Sequence, residues 1–437
     1  VIGKYYFICF CCQVCTGLKF LDNNEVSNNI LIQNAGQVLT FAGAELGLVQ
    51  NAGVRVRAGR VVEVGRGLKP EKNETVIDAG GKVVLPGFVD PHTHLIFAGW
   101  RADEFELRLA GKSYKEIAAA GGGILNTVRQ TRRASADELY QAGGERLQEM
   151  VSWGTTTVEV KSGYGLETET EIRMLEVVER LNRAGLIRLV PTFLGAHSVP
   201  PELGKRDYIK LVIEEMLPRV QAKKLARFCD VFCENFVFNS EESRQILEAG
   251  KSVGLMPTVH ADEIESSGGA ELAAQVGAVS ASHLLKPSEQ GLALMAKKGV
   301  VAILLPGTCF FLQEVHKPPV NRMRELGIII ALGSDFNPGS STLLAQPLTA
   351  QFGCIYYGLT VVEALRGITI NAARALRLEQ EIGSIEPGKW ADMVVTDVPD
   401  YRHLIYRLGH NPVKLVLKQG RVVYERQGDG GAKVKFC

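Results

Sequence analysis

Two histidines one residue apart, His92 and His94, close the segment Leu85-Pro-Gly-Phe-Val-Asp-Pro-His-Thr-His94. Val83 to Leu85 and then Phe88-Val89 read as a short buried strand, and Pro91 supplies the turn chemistry that ends it. On an extended chain alternate side chains point the same way, so both imidazoles can aim at one point. That arrangement chelates metal ions. A bare His-x-His says little, but polar side chains at the end of a buried strand need a partner.

The ends of later candidate strands repeat the theme. They read Glu159-Val-Lys-Ser-Gly-Tyr164, Gly195-Ala-His197, Cys233-Glu234, His260-Ala-Asp-Glu263, Ser282-His283 and Ser334-Asp335-Phe-Asn337. One buried histidine is usually satisfied by a backbone carbonyl, whereas four strand ends with histidine and an aspartate after the last form a pattern. Two histidines from the first strand, His260 from the fifth and Asp335 from the eighth make a set of three nitrogens and one oxygen. It suits Zn²⁺ or iron and leaves room for a water.

The elements that must hold these groups alternate strand and helix. Strand candidates after the opening one are Thr155–Lys161, Arg188–Leu194, Phe228–Phe238, Met256–Ala261, Ala278–His283, Val300–Leu305 and Ile328–Gly333, which makes eight. Ser135-x-x-Glu138, Thr168-x-x-Glu171 and Asn239-x-x-Glu242 have capping-box spacing, and Gly154 and Gly185 mark helix ends. Eight βα units predict an α/β protein with a TIM-type (β/α)8 barrel over residues 86–382, with its active site at the carboxyl ends of the strands. Short alternating runs at both termini, around Ile30 to Val64 and Met393 to Tyr424, predict a small β-sandwich domain from residues 29–85 and 383–430.

Composition narrows the function classes. A chain of 437 residues with 46% apolar content can bury a large core. Its net charge of +1, without a long basic run, argues against nucleic acid or an anionic membrane as partner. No stretch approaches the roughly 18–20 apolar residues of a membrane helix. Of nine cysteines, four crowd into Cys9-Phe-Cys-Cys-Gln-Val-Cys15, and the scattered remainder read as reduced, buried thiols of a cytoplasmic protein.

With these residues in view, the chain resembles the amidohydrolase superfamily of metal-dependent hydrolases. The resemblance rests on Pro-Gly-Phe-Val-Asp-Pro-His-Thr-His, the strand-five and strand-six histidines and the Gly-Ser-Asp of strand eight. More narrowly, it is similar to the branch that opens 4-imidazolone-5-propanoate to N-formimidoyl-L-glutamate in histidine degradation. The motifs are His94-Leu-Ile-Phe-Ala-Gly-x-Arg101, Ala120-Gly-Gly-Gly-Ile124, Lys161-Ser-Gly-Tyr-Gly165, Leu194-Gly-Ala-His197 and Asp335-Phe-Asn-Pro-Gly-Ser340, and the likeness runs from about Asn29 to about Glu425.

The resemblance implies one metal per chain, Zn²⁺ or Fe³⁺, on His92, His94, His260 and Asp335. It implies substrate contacts from Arg101, Tyr164, His197, Glu263, Asn337, Gly339 and Ser340. The residue chemistry agrees. Arg101 suits a propanoate carboxylate because its fork binds carboxylates bidentately. Asp335 would take the proton of a metal-activated water and pass it to the leaving ring nitrogen, His283 would stabilise the developing oxyanion, and Glu263 would serve the ring nitrogens. A second metal would need a lysine on strand four, where Glu234 stands; Lys161 is on strand two. A homodimer is the expected assembly, on which the residues themselves are silent.

Two other readings stay open. His260-x-x-Glu263 is also a spacing for protonating a heterocycle during deamination, which ammonia release without ring opening would reveal. A non-catalytic assembly protein on the same fold would be expected to lack ligands, and here all four candidates are present. Blander motifs are Gly121-Gly-Gly123, a loop near the site with no Gly-Lys-Ser/Thr after it, and Cys229-x-x-x-Cys233, too far apart along a strand for one zinc. His316, His403 and His410 read as surface residues without partners. Residues 1–28 read as an extension, disordered or artefactual, because they lack a periodic apolar face. A chain beginning at Asn28 is therefore expected to keep its melting temperature and turnover; loss of metal or aggregation on truncation would give the cysteine cluster a role.

Overall fold

The computed structural model describes residues 29–112, 116, 121–427 and 431–434. The extension expected over residues 1–28, with its four cysteines, lies outside the described residues. The segment read as one opening strand is in fact two. Val83–Pro86 belongs to a sheet made by the chain termini, and Phe88–Asp90 opens the barrel. Gly87 makes the turn between them, with its N–H on the Asp392 carbonyl at 2.8 Å.

The barrel strands are β1 (Phe88–Asp90), β2 (Thr155–Lys161), β3 (Arg188–Ala196), β4 (Phe228–Cys233), β5 (Met256–Ala261), β6 (Ser280–His283), β7 (Val301–Leu304) and β8 (Ile330–Leu332). They pair in chain order, every pair parallel. Several are shorter than their apolar runs suggested, because the ladder stops where the chain turns outward into the loops. Beyond β1 and β8 the ring is closed by backbone bonds: Asp335 N–H to the His92 carbonyl at 3.0 Å, and His94 N–H to the Phe336 carbonyl at 2.8 Å. Helices follow the strands in the βα rhythm, and Val89, Val190, Phe228, Ile303 and Ala331, from five strands, pack in one apolar cluster.

The terminal segments form a nine-stranded mixed sheet. Ile30–Leu39 lies in it as one strand, bulged at Asn34, where φ is +56°. The tight turn at Ala58-Gly59, with φ of +48° and +76°, joins Leu48–Arg57 to Arg60–Gly65 as a hairpin. Arg60 bridges to Trp390, and Gly420 packs against Gly59, so the sheet rolls and its wings meet. Ile32, Val54, Val56, Val84, Met393, Val395 and Leu417 fill the space enclosed.

Two of the three capping boxes form, at Ser135–Glu138 and Asn239–Glu242. The third does not. The helix Thr168–Arg183 is preceded by Glu167 without a side-chain cap, and Glu171 is turned inward to a different task described below. A fourth box, Thr360–Glu363, was not read from the sequence. Among the histidines taken as partnerless, His316 is exposed but pairs with Glu314, and His410 is half-buried with its Nε2 3.0 Å from Asp397.

The turn between sheet and barrel leaves no space for a side chain. A Cβ at position 87 would meet Thr156 Oγ1 at 2.3 Å and Cγ2 at 2.4 Å, and Thr156 is a stiff β-branched residue in a buried strand. Gly87→Ala is expected to destabilise the chain by ~1–3 kcal/mol through overpacking. Thermal denaturation should show Thr156→Ala recovering part of that loss in the double variant; an unchanged melting temperature in Gly87→Ala would contradict the packing argument.

Candidate metal centre and active site

His92, His94 and His260 are buried, and each offers a ring nitrogen within 4.8 Å of the others. Asp335 Oδ1 lies 3.5 Å from Nε2 of both His92 and His94. His94 Nε2 and His260 Nε2 face each other at 3.5 Å, and His92 Nε2 has no hydrogen-bond partner. Buried polar atoms are normally satisfied, so nitrogens converging on one another without a donor between them fit a cation. Burial lowers the pKa of His92 and His94 well below the usual histidine range, which keeps both rings neutral, as ligation requires.

Three of the four candidate ligands are oriented from behind, whereas His94 Nδ1 has no hydrogen-bond partner. His92 Nδ1 meets Ser282 Oγ at 2.9 Å, and Thr308 Oγ1 donates to Asp335 Oδ2 at 2.6 Å. His260 Nδ1 sits 3.2 Å from Asp230 Oδ2, and that oxygen also receives Lys161 Nζ at 2.8 Å. Lys161 completes the group with Glu159 Oε1 at 2.9 Å. The ammonium is buried, yet its two carboxylate neighbours outweigh desolvation and raise its pKa. A lysine held in this way is not free to be carboxylated and to bridge a second ion. Glu159 is legible in the sequence as a polar strand-end residue but without a role, and Asp230 is not singled out there, though it sits in a buried strand in phase with the inward-facing Phe228.

The remaining residues singled out from sequence fall around this cluster. His197 stacks on His94, with centroids 4.8 Å apart and planes 15° apart, and its Nδ1 meets the Gly163 carbonyl at 3.0 Å. The Tyr164 ring centroid is 5.8 Å from that of His94. His283 sits over the other side, its ring 5.3 Å from His260 and its Nδ1 3.4 Å from Glu263 Oε1. Its Nε2 is buried and unpaired, and burial lowers its pKa to about 3. Glu263 is pushed the other way: burial first, then the charges of Asp335 and Glu234, raise its pKa well above the carboxylate range.

Arg101 lies at the mouth, its Nε on Glu104 Oε2 at 2.9 Å and its guanidinium against Gly339, where a Cβ would come within 2.1 Å of Nη1. A side chain at position 339 would displace the guanidinium from this place. Asn337 is occupied by its own turn. Its Oδ1 accepts from the N–H groups of Gly339 and Ser340 at 2.8 and 2.7 Å, and its Nδ2 donates to the Asp335 carbonyl at 2.6 Å. The N–H donors of Gly339 and Ser340 are thus already engaged.

Buried carboxylates tie down the loops that carry these groups. Glu104 accepts from Gly123 N–H and Asn126 as well as Arg101, which joins the glycine-rich loop to the mouth. Glu171 accepts from the N–H groups of Gly163, Gly165 and Leu166 at 2.9, 2.7 and 2.9 Å, and so fixes the Tyr164 loop. That task displaced its expected capping role. Arg146 donates to the Leu95 and Phe97 carbonyls and covers the Phe97 ring at 3.5 Å, fixing the exit from the His-x-His segment.

Comparison with known proteins agrees with this geometry. A sequence model described as "Amidohydrolase family" matches residues 83–423. An imidazolonepropionase of Geobacillus sp. (strain WCH70) is 47% identical over 414 residues, covering 90% of this chain and 97% of that one. One of Clostridium tetani is 46% identical over 417 residues, covering 91% and 99%. The chain belongs to the amidohydrolase family, among its imidazolonepropionases. In fold it matches an adenosine deaminase from Xanthomonas campestris with bound zinc, at TM-score 0.69 and 18% identity over 90% of this chain and 92% of that one. A 5-methylcytosine deaminase from Klebsiella pneumoniae has TM-score 0.70 at 17% identity, over 92% and 98%. No helix among the described residues is long and apolar enough to cross a membrane.

If these nitrogens hold the ion, removing one is expected to cost metal, because among the described residues only His92, His94 and His260 bring ring nitrogens together within 4.8 Å. Elemental analysis of His260→Ala is expected to show metal well below one equivalent per chain, with activity lost in parallel. Undiminished metal in that variant would remove His260 from the ligand set.

Proposed function

We propose that this chain opens the ring of 4-imidazolone-5-propanoate to N-formimidoyl-L-glutamate, a step of histidine degradation, at one metal held by His92, His94, His260 and Asp335. The observation that carries the reading is the convergence of three buried imidazoles beside one carboxylate, under a mouth lined by Arg101 and Tyr164. Zn²⁺ is the ion favoured by the donor set, with Fe³⁺ the alternative. Bound there, the ion supplies an acidified water and polarises the ring carbonyl.

The chain's own groups do the rest. Asp335 divides its oxygens, Oδ2 held by Thr308 and Oδ1 facing the imidazoles, so Oδ1 is placed to accept the proton of the attacking water. It returns that proton to the ring nitrogen as the carbon–nitrogen bond breaks. Glu263, kept protonated by burial, can donate to His283 Nδ1. The neutral imidazole then carries its proton on Nε2, the atom left unpaired, and can donate to oxygen as charge develops there. Arg101 and Tyr164 take the propanoate, which orients the ring over the metal ligands. A homodimeric cytoplasmic enzyme is part of the same reading.

Division of labour gives the test. A charge-assisted contact to a carboxylate is worth ~1.5–3 kcal/mol net, or roughly ten- to 150-fold in affinity. Arg101 touches a non-reacting part of the substrate, so Arg101→Met should raise KM by about that factor with a smaller loss in kcat. Asp335→Asn should abolish kcat. Kinetics with 4-imidazolone-5-propanoate and with the ring lacking its propanoate should show the wild type preferring the acidic compound and Arg101→Met losing that preference. Full preference in the variant would move the carboxylate pocket elsewhere.

A further inference from the structure

Strand β4 ends differently from its neighbours. Where β1, β5 and β6 present histidines to the metal cluster, Glu234 follows β4 with a fully buried carboxylate aimed at the next loop. Its Oε1 accepts from the N–H groups of Glu263 and Ile264, both at 2.8 Å, and its Oε2 from Glu265 N–H at 3.2 Å and Ser267 Oγ at 2.8 Å. The segment from Asp262 to Glu265 has no regular secondary structure, and Ile264 and Glu265 are exposed. Asp262 serves the far end of the loop through the N–H groups of Ser267, Gly269 and Ala270. Three successive backbone donors beginning at Glu263 therefore converge on one carboxylate.

We infer that Glu234 is a positioning residue for the reaction, setting Glu263 against His283 and the substrate ring by holding the backbone N–H of Glu263 itself. The inference rests on the role given to Glu263 above. An exposed irregular loop has many accessible conformations, and a side chain it carries is no better placed than its backbone. A carboxylate accepting several N–H groups in a dry site is strong and directional, and here it acts one bond from the Cα of Glu263. None of its hydrogen bonds reaches a proposed metal ligand, so its effect should appear in turnover and not in metal loading.

The test compares the metal-loaded full-length wild type with Glu234→Gln, Glu263→Gln and the double variant, with 4-imidazolone-5-propanoate as substrate. In Glu234→Gln one acceptor becomes a donor facing N–H groups, and misplacement of a reacting group by about 1 Å costs on the order of a hundred-fold. The expected result is a loss in kcat of that order, KM within a few-fold, metal per chain unchanged, and a double variant no slower than Glu263→Gln alone. If Glu234→Gln does not fold, Ser267→Ala removes the hydroxyl donor to Glu234, together with its long contact from Asn235 N–H, and should give a smaller kcat loss that likewise vanishes in the Glu263→Gln background. A Glu263→Gln enzyme with wild-type kcat would overturn the role of Glu263 and the inference with it. A crippled Glu263→Gln beside an unimpaired Glu234→Gln, or losses that multiply in the double variant, would overturn the inference alone.

Discussion

Two backbone hydrogen bonds set the register on which this site depends, Asp335 N–H to the His92 carbonyl and His94 N–H to the Phe336 carbonyl. Side chains on an extended chain alternate, so a one-residue slip between these segments would turn both imidazoles away from Asp335. The ladder strands β1 and β8 have only three residues each, which leaves the seam to these bonds and to the Thr93–Phe336 bridge. Strain gathers at the same level of the barrel. Asp262, His283 and Asp335 all have positive φ, at +51°, +72° and +52°. Such backbone costs ~1–3 kcal/mol per residue and persists only where neighbours over-determine it. The Asp335 N–H is held by the seam and its side chain by Thr308, so its conformation is fixed from both ends.

Below the imidazoles the constraint is charge. A lone buried ion is costly, and breaking a buried pair costs ~3–5 kcal/mol because the survivor is left uncompensated. Lys161 therefore cannot be considered apart from Glu159 and Asp230, nor Asp230 apart from His260. Asp230 is held well below the carboxylate range even though burial is the largest influence on it and opposes this; Lys161 and His260 together outweigh that burial. The barrel thus carries a fixed cation behind His260, joined to it through Asp230. Glu171 and Glu234 solve the same burial problem largely with backbone N–H groups, and Glu104 with Arg101, Asn126 and one backbone N–H.

The parts legible in the sequence were those with a period. Strands β2 and β5 have the bounds read from their apolar runs, and the strand-end histidines point inward because alternation requires it. What could not be read depended on partners distant in space. Thr168-x-x-Glu171 satisfies a local capping rule, but three N–H groups of the preceding loop had no other acceptor, and they won the carboxylate. Gly87 reads as part of a strand until Thr156, from another strand, is seen to occupy the space of its missing Cβ. Asn337 is a different case. Asn-Pro-Gly-Ser is turn chemistry on its face, and its side chain is engaged in that turn.

Two kinds of register follow, and they are mechanically separate. Groups at strand ends, His92, His94, His260 and Asp335, are placed by ladder and seam hydrogen bonds shared around the whole barrel. Groups on loops are each placed by one buried carboxylate: Arg101 by Glu104, Tyr164 by Glu171 and Glu263 by Glu234. Changing a loop carboxylate re-aims one contact and leaves the strand-end cluster where it is, whereas shifting a strand disturbs all of its members together. A barrel built this way can keep its strand-end cluster while its mouth changes; the fold itself is shared with neighbours at 17–18% identity. The strand-end cluster is set by topology, and each loop contact by one carboxylate.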